Sequence, residues 1–251
     1  MPLKSLNKIT RVTVGLLSMT LVACSWFSAG SDEKPTDVYM QLGVRYMELN
    51  KLELAKENLQ KAVDKDSDNY RAHSALGYLY EKINKLDNAK QHYEAALSIA
   101  PDDAGVQNNF GRFLCERRQF DKGLALLIQA GDNMLNDKQW LALTNAGRCQ
   151  LGMGQRDKAI TYLRQALALN DRYAPALFEM QRISYEIGEY RASEDYLQRY
   201  LGEANHTPET LWIGIQTEQA LGNSSLANEY RNLLLDKFPD SNEAKQVSGI
   251  R

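Results

Sequence analysis

The chain has little of what enzymes and metalloproteins are usually built from. Its 251 residues include three cysteines and three histidines. His73, His92 and His206 stand at no spacing, such as i and i+4 on a helix, that would aim two imidazoles at one metal ion. There is no glycine-rich phosphate loop and no Gly-x-Ser-x-Gly turn, so phosphoryl transfer and serine hydrolysis lack their usual sequence frames. Positive charge is scarce as well: 30 Lys and Arg against 32 Asp and Glu leave a formal −2, which offers no field for nucleic-acid phosphates. The apolar stretch Val12 to Val22 has only 11 residues and is broken by Thr13, Gly15, Ser18 and Thr20, whereas a membrane-spanning helix needs about 20. The expectation is of no enzyme, no cofactor, no metal and no nucleic-acid partner. Asp64, Asp66 and Asp68 alternate as in the first half of a calcium loop, but the glycine and glutamate that complete it are replaced by Asn69 and Ala75. A polar turn is the expected reading there.

The short apolar stretch instead fits a secretory signal. Lys4, Lys8 and Arg11 precede it without an acid, and Leu21-Val22-Ala23-Cys24 ends it. That tetrapeptide resembles a bacterial lipobox, which implies lipidation of Cys24 and removal of residues 1–23. A diacylglyceryl group plus an amide-linked acyl chain gives durable anchoring, because each buried methylene contributes about 0.8 kcal/mol. Ser25 after the cysteine implies the outer membrane, with the rest of the chain in the periplasm. Residues 24–35 then form the lipidated cysteine and a polar tether. Without Lys4, Lys8 and Arg11 the formal charge becomes −5.

What the sequence does have is a repeat. A bulky residue followed by a small one recurs as Leu42-Gly43, Leu76-Gly77, Phe110-Gly111 and Ala146-Gly147. Ala55, Ala89, Gly123 and Ala159 follow, then Ala62, Ala96, Ala130 and Ala166, with Leu59, Tyr93, Leu127 and Leu163 between. Two antiparallel helices approach closely only where facing residues are small. This pattern resembles the tetratricopeptide repeat and predicts an all-α, right-handed superhelical solenoid of six helix pairs at 36–69, 70–103, 104–137, 140–173, 174–207 and 208–241. Gln181, Ser193, Ile215 and Ala227 mark two degenerate copies, and residues 242–251 read as a polar tail.

The tetratricopeptide resemblance implies a concave groove lined by first helices. Applied copy by copy, it selects Tyr78, Asn108, Arg112, Thr144, Arg148, Phe178 and Arg182 as the partner-binding groove, with Arg112, Arg148 and Arg182 at the same place in successive repeats. Arginines and aromatics dominate interface energetics; pairing of the arginines with acids on neighbouring helices is the competing reading. Cys115 and Cys149 fall near one height on successive first helices. An oxidising compartment would permit a bridge, but packed axes lie about 8–10 Å apart and a disulfide needs Cα atoms within about 7 Å, so free buried thiols are expected.

Tyr39 to Gly43, Asn108 to Glu116 and Ala176 to Met180, together with the lipobox, resemble the type IV pilus biogenesis and stability lipoproteins, the pilotins known as PilF or PilW. The resemblance implies a scaffold that carries or stabilises the secretin subunit of the pilus at the outer membrane and supports its assembly; a monomer is the expected state. A periplasmic repeat lipoprotein for cell-wall synthesis or outer-membrane protein assembly is the rival of the same physical kind.

Overall fold

The computed structural model describes residues 35–249, and within them every regular element is a helix. Twelve helices form six antiparallel pairs: α1 (Pro35–Glu48) with α2 (Leu52–Lys65), α3 (Tyr70–Lys82) with α4 (Leu86–Ile99), α5 (Ala104–Glu116) with α6 (Phe120–Asp132), α7 (Gln139–Gly152) with α8 (Arg156–Leu169), α9 (Ala174–Glu186) with α10 (Tyr190–Leu201), and α11 (Pro208–Ala220) with α12 (Ser224–Lys237). A thirteenth, α13 (Asn242–Ser248), follows.

The small residues lie where helices cross. A Cβ added at Gly43 would stand 2.5 Å from Leu59 Cγ, and one at Gly147 would stand 2.9 Å from Leu163 Cγ. The large second-helix residue therefore seats itself directly on the glycine. Ala55, Ala62, Leu59 and their counterparts through Leu163 and Ala166 are fully buried, and each such leucine contributes about 1.5–3 kcal/mol. In the sixth pair Gly214, one position before Ile215, makes the close approach, against Tyr230.

The ends of the helices follow local chemistry. Asn69, Asp103 and Thr207 accept hydrogen bonds from the backbone N–H of Ala72, Val106 and Thr210 and so cap α3, α5 and α11. Glu53, Asp87, Asp121 and Asp157 lie in the first turns of second helices that have no side-chain cap, where they meet the positive end of the helix dipole. Between the helices of each pair one residue has positive φ: Asn50, Asn84, Arg118, Gly154, Gly188 and Gly222. Asparagine tolerates the left-handed region through its short polar side chain, whereas Arg118 meets the Cβ penalty without that relief.

Each first helix packs closely on the first helix of the next pair, whereas the backbones of second helices stand farther apart and meet through long side chains, as where Gln198 on α10 donates to the Tyr230 hydroxyl on α12 at 3.3 Å. The array thus curves with its first helices on the inner side. Gly111 and Gly147 stand 36 positions apart where the earlier glycines stand 34 apart, and the two extra residues fall in the α6–α7 connection, where Asn136 Nδ2 donates to the Ala130 carbonyl at 2.7 Å and Met134 and Leu135 stand almost fully exposed.

Two expectations are corrected. Residues 242–249, the described part of the expected tail, are not simply a tail: Ser241 caps α13, Ala244 is buried, and Val247 packs against the core that includes Tyr230 and Leu234. And Cys115 and Cys149 are joined in a disulfide with Cα atoms 5.4 Å apart. Axis spacing was the wrong measure, because Cα atoms lie about 2.3 Å off each axis and facing residues come correspondingly closer. Gly123 makes the room, since a Cβ there would lie 2.6 Å from Cys115 Sγ.

Candidate functional site on the first helices

The first helices are tied to one another by polar side chains. Asn109 Nδ2 donates to Ser74 Oγ at 3.1 Å, and Asn145 Nδ2 donates to Asn108 Oδ1 at 2.8 Å. Arg112 reaches back to Glu81 with two N–H bonds, 3.0 and 2.8 Å, and along its own helix to Glu116 at 2.7 Å. Arg148 Nε donates forward to Glu179 at 2.8 Å, and the other oxygen of Glu179 takes Arg182 at 2.7 Å. Arg112 and Arg148 are therefore each paired with a carboxylate on a neighbouring first helix, while Arg182 pairs with Glu179 and Glu186 of its own helix.

Burial sets the energetics of these pairs. The Glu81 and Glu179 side chains are 10% and 9% exposed. Burial pushes the Glu81 carboxyl up, but hydrogen bonds and charge from Arg112 outweigh this and hold it below its usual range. Tyr93 adds a bond from its hydroxyl to Glu81 at 3.1 Å, and burial drives that phenol well above its ordinary value. Removing one partner of such a pair leaves an uncompensated buried charge.

The predicted groove residues divide accordingly. Tyr78 is exposed, with the Arg112 guanidinium 5.8 Å over its ring. Phe178 is half-buried against Tyr200, ring centroids 6.3 Å apart. Arg148 keeps 44% of its side chain exposed and Arg182 keeps 29%. Asn108 and Thr144 do not face the groove: both are buried, and Thr144 donates to the Trp140 carbonyl. They share the fifth place of their repeats with Ser74, also buried, because that position falls in the seam between successive first helices. Cys24 lies outside the described residues.

Three hollows open along these helices. One of about 440 Å³ is bounded by Met47, Tyr70, Arg71, Tyr78 and Asn109. A second, of about 300 Å³, lies over the disulfide between Arg112, Arg118, Phe120 and Arg148. The largest, about 630 Å³, is lined by Arg148, Phe178, Tyr200, Pro208, Glu209 and Glu243.

Sequence reasoning missed the acids Glu81 and Glu179 as organisers. The signal was present: Arg112 and Glu81, like Arg148 and Glu179, stand 31 residues apart, one repeat less about one helical turn. It also missed a histidine contact. His73 and His92 meet at Nδ1···Nδ1 3.0 Å, with His73 Nε2 also 3.1 Å from the Ser67 carbonyl. A carbonyl only accepts, so His73 donates from Nε2 and receives the Nδ1–H of His92. Burial, with the charge of His73, lowers His92 to about 4. The Asp64–Asn69 segment serves as a turn and helix cap, with Asp66 accepting from the Asp68 N–H and Asn69 from the Ala72 N–H. No described helix is long and apolar enough to cross a membrane.

Three family models described as tetratricopeptide repeat match residues 40–104, 84–146 and 142–173. The chain is a tetratricopeptide repeat protein. It is homologous to the type IV pilus assembly protein PilF of Pseudomonas aeruginosa, with 27% identity over 217 residues, 86% of each chain. Among solved structures, PilW, described as a widely conserved type IV pilus biogenesis factor, superposes with a TM-score of 0.77 at 28% identity, covering 84% of this chain and 97% of that one. A Pseudomonas aeruginosa PilF structure gives 0.77 at 26% identity, covering 86% and 97%. These relatives support a role in type IV pilus biogenesis and point to protein partners for the repeat array.

Proposed function

We propose that this protein is a pilotin, a non-catalytic lipoprotein on the periplasmic face of the outer membrane. Lipid on Cys24 supplies the membrane affinity, and the solenoid binds the secretin subunit of a type IV pilus, supporting its localisation and its assembly into a multimer. The mechanism is tethering: two attachments on one chain raise the local concentration of the subunit at the membrane without bond chemistry. The observation that carries the reading is likeness to PilF over 86% of both chains, in an array that covers 97% of the solved PilW and PilF chains. The Leu-Val-Ala-Cys sequence ending at Cys24 supports the anchor, and the Cys115–Cys149 bridge agrees with an oxidising compartment. The protein acts as a monomer in this scheme.

Membrane fractionation and unboiled gels of cells expressing Cys24→Ala test it. The secretin multimer should disappear or move to the inner membrane, and deletion of the gene should abolish twitching motility with normal cell shape. An unaffected multimer would remove the pilus role and leave the scaffold.

A further inference from the structure

The largest hollow has a composition that the repeat fold itself does not require. Its floor is made by the rings of Phe178 and Tyr200, with Pro175 and Pro208 among its walls. Glu209 on α11 and Glu243 on α13 face into it from two different elements, and neither takes part in a hydrogen bond or ion pair. Arg148, the cation on its rim, is already committed to Glu179, as is nearby Arg182. Burial together with the negative charges of Glu179 and Glu243 pushes the Glu209 carboxyl up, against the pull of Arg182. An arriving cation would relieve that crowding.

We propose that this hollow, between α9, α11 and α13, receives an extended segment of a protein partner in which an aromatic side chain stands beside basic ones. The ring sits on Phe178 and Tyr200, and the ammonium or guanidinium groups lie between Glu209 and Glu243. Stacked or edge-on rings add to simple area burial, and a cation that meets two unpaired carboxylates gains charge-assisted hydrogen bonds. The same acids disfavour an anionic lipid headgroup or an acidic peptide. They also disfavour a second copy of this chain, which without residues 1–23 has a formal charge of −5. The inference gives chemistry to the partner in the scaffold reading but does not depend on that partner being a secretin.

A dye-labelled, blocked eight-residue peptide with one phenylalanine between two lysines is the probe, titrated into the purified full chain and read by fluorescence anisotropy. Saturable binding is expected, weakened at least tenfold in a Glu209→Gln/Glu243→Gln variant whose thermal melt is unchanged. Replacing the peptide's phenylalanine by alanine should weaken it similarly, and replacing its lysines by glutamates should abolish it; these peptide changes leave the protein's fold untouched. No binding, equal binding of the acidic peptide, or binding indifferent to the two glutamines would overturn the proposal, as would competition by self-association of the chain. Peptide binding that persists beside normal piliation in a gene-deletion strain would leave the hollow standing and remove the pilus.

Discussion

Reduction of the Cys115–Cys149 bridge is the perturbation whose size follows most directly from the fold. The two cysteines are 34 positions apart, and a cross-link over about 34 residues removes about 12–13 cal/mol/K of unfolded-chain entropy, or about 4 kcal/mol at 25 °C. Unfolding entropy is about 2.1 cal/mol/K per residue, so for about 215 ordered residues the same change amounts to a fall in Tm of about 8 °C. Both sulfurs are buried, so the reductant is best applied to unfolded protein that is then refolded in its presence. The assay is a far-ultraviolet circular dichroism melt of oxidised and reduced protein, with Cys115→Ala/Cys149→Ala as a variant indifferent to reductant. Coincident melts of the oxidised and reduced forms would refute the reasoning. They would mean that the α5–α7 joint is held by packing alone and that the bridge adds no constraint to the unfolded chain.

Acid should destabilise the array in two stages, because an unfolded histidine takes up a proton near 6.5 while His92 resists until about 4. Stability falls across that window, and it falls further below 4.5 as the depressed Glu81 carboxyl is protonated; urea melts of His92→Gln should show a flatter profile in the first window. Gly123→Ala should cost about 1–3 kcal/mol, since the new Cβ would meet the Gly111 carbonyl and the Cys115 amide, which are backbone and cannot swing aside; a urea midpoint equal to that of the parent would contradict it. Arg118→Gly should raise stability by about 1 kcal/mol, because its φ of 60° stands where Gly154, Gly188 and Gly222 serve the later turns, and a thermal melt reads the sign. Arg148→Glu with Arg182→Glu should lower stability by about 3 kcal/mol or more by orphaning buried Glu179, visible as a lower urea midpoint.

The class of fold was readable because its demand on sequence is local and repeated. Two helices that touch through backbone need Gly or Ala at the contact and a large residue beside it, and Gly43, Ala55 and Leu59 meet that demand in a form that later copies echo. What escaped reading was set by other distances. Helix α13 has seven residues and one buried side chain, Ala244, too few for any period to emerge from Asn242 to Ser248. The bridge escaped because helix spacing is a distance between axes, while a disulfide spans the space between facing surfaces. At the candidate site, Tyr78 and Phe178 were legible from their repeat positions. The pairing of Arg112 and Arg148 across repeats was not, because Glu81 and Glu179 stand a whole repeat away less one turn, outside any window in which charge pairs are normally sought.

That pairing changes where recognition can occur. Arg112 and Arg148 spend hydrogen bonds on Glu81 and Glu179 of neighbouring first helices, and Arg182 holds Glu179 from its own helix, so their first effect is to fix how α5 sits on α3 and α7 on α9, and with it the curvature of the inner face. A partner that bound through them would have to break buried pairs, which costs more than an exposed contact returns. Groups without such commitments offer binding at lower cost: the exposed ring of Tyr78, the unpaired guanidinium of Arg118 over Phe120, and the carboxylates of Glu209 and Glu243 above Phe178. The arginine ladder sets the shape of the groove, and aromatic rings with unpaired charges beside them supply its contacts.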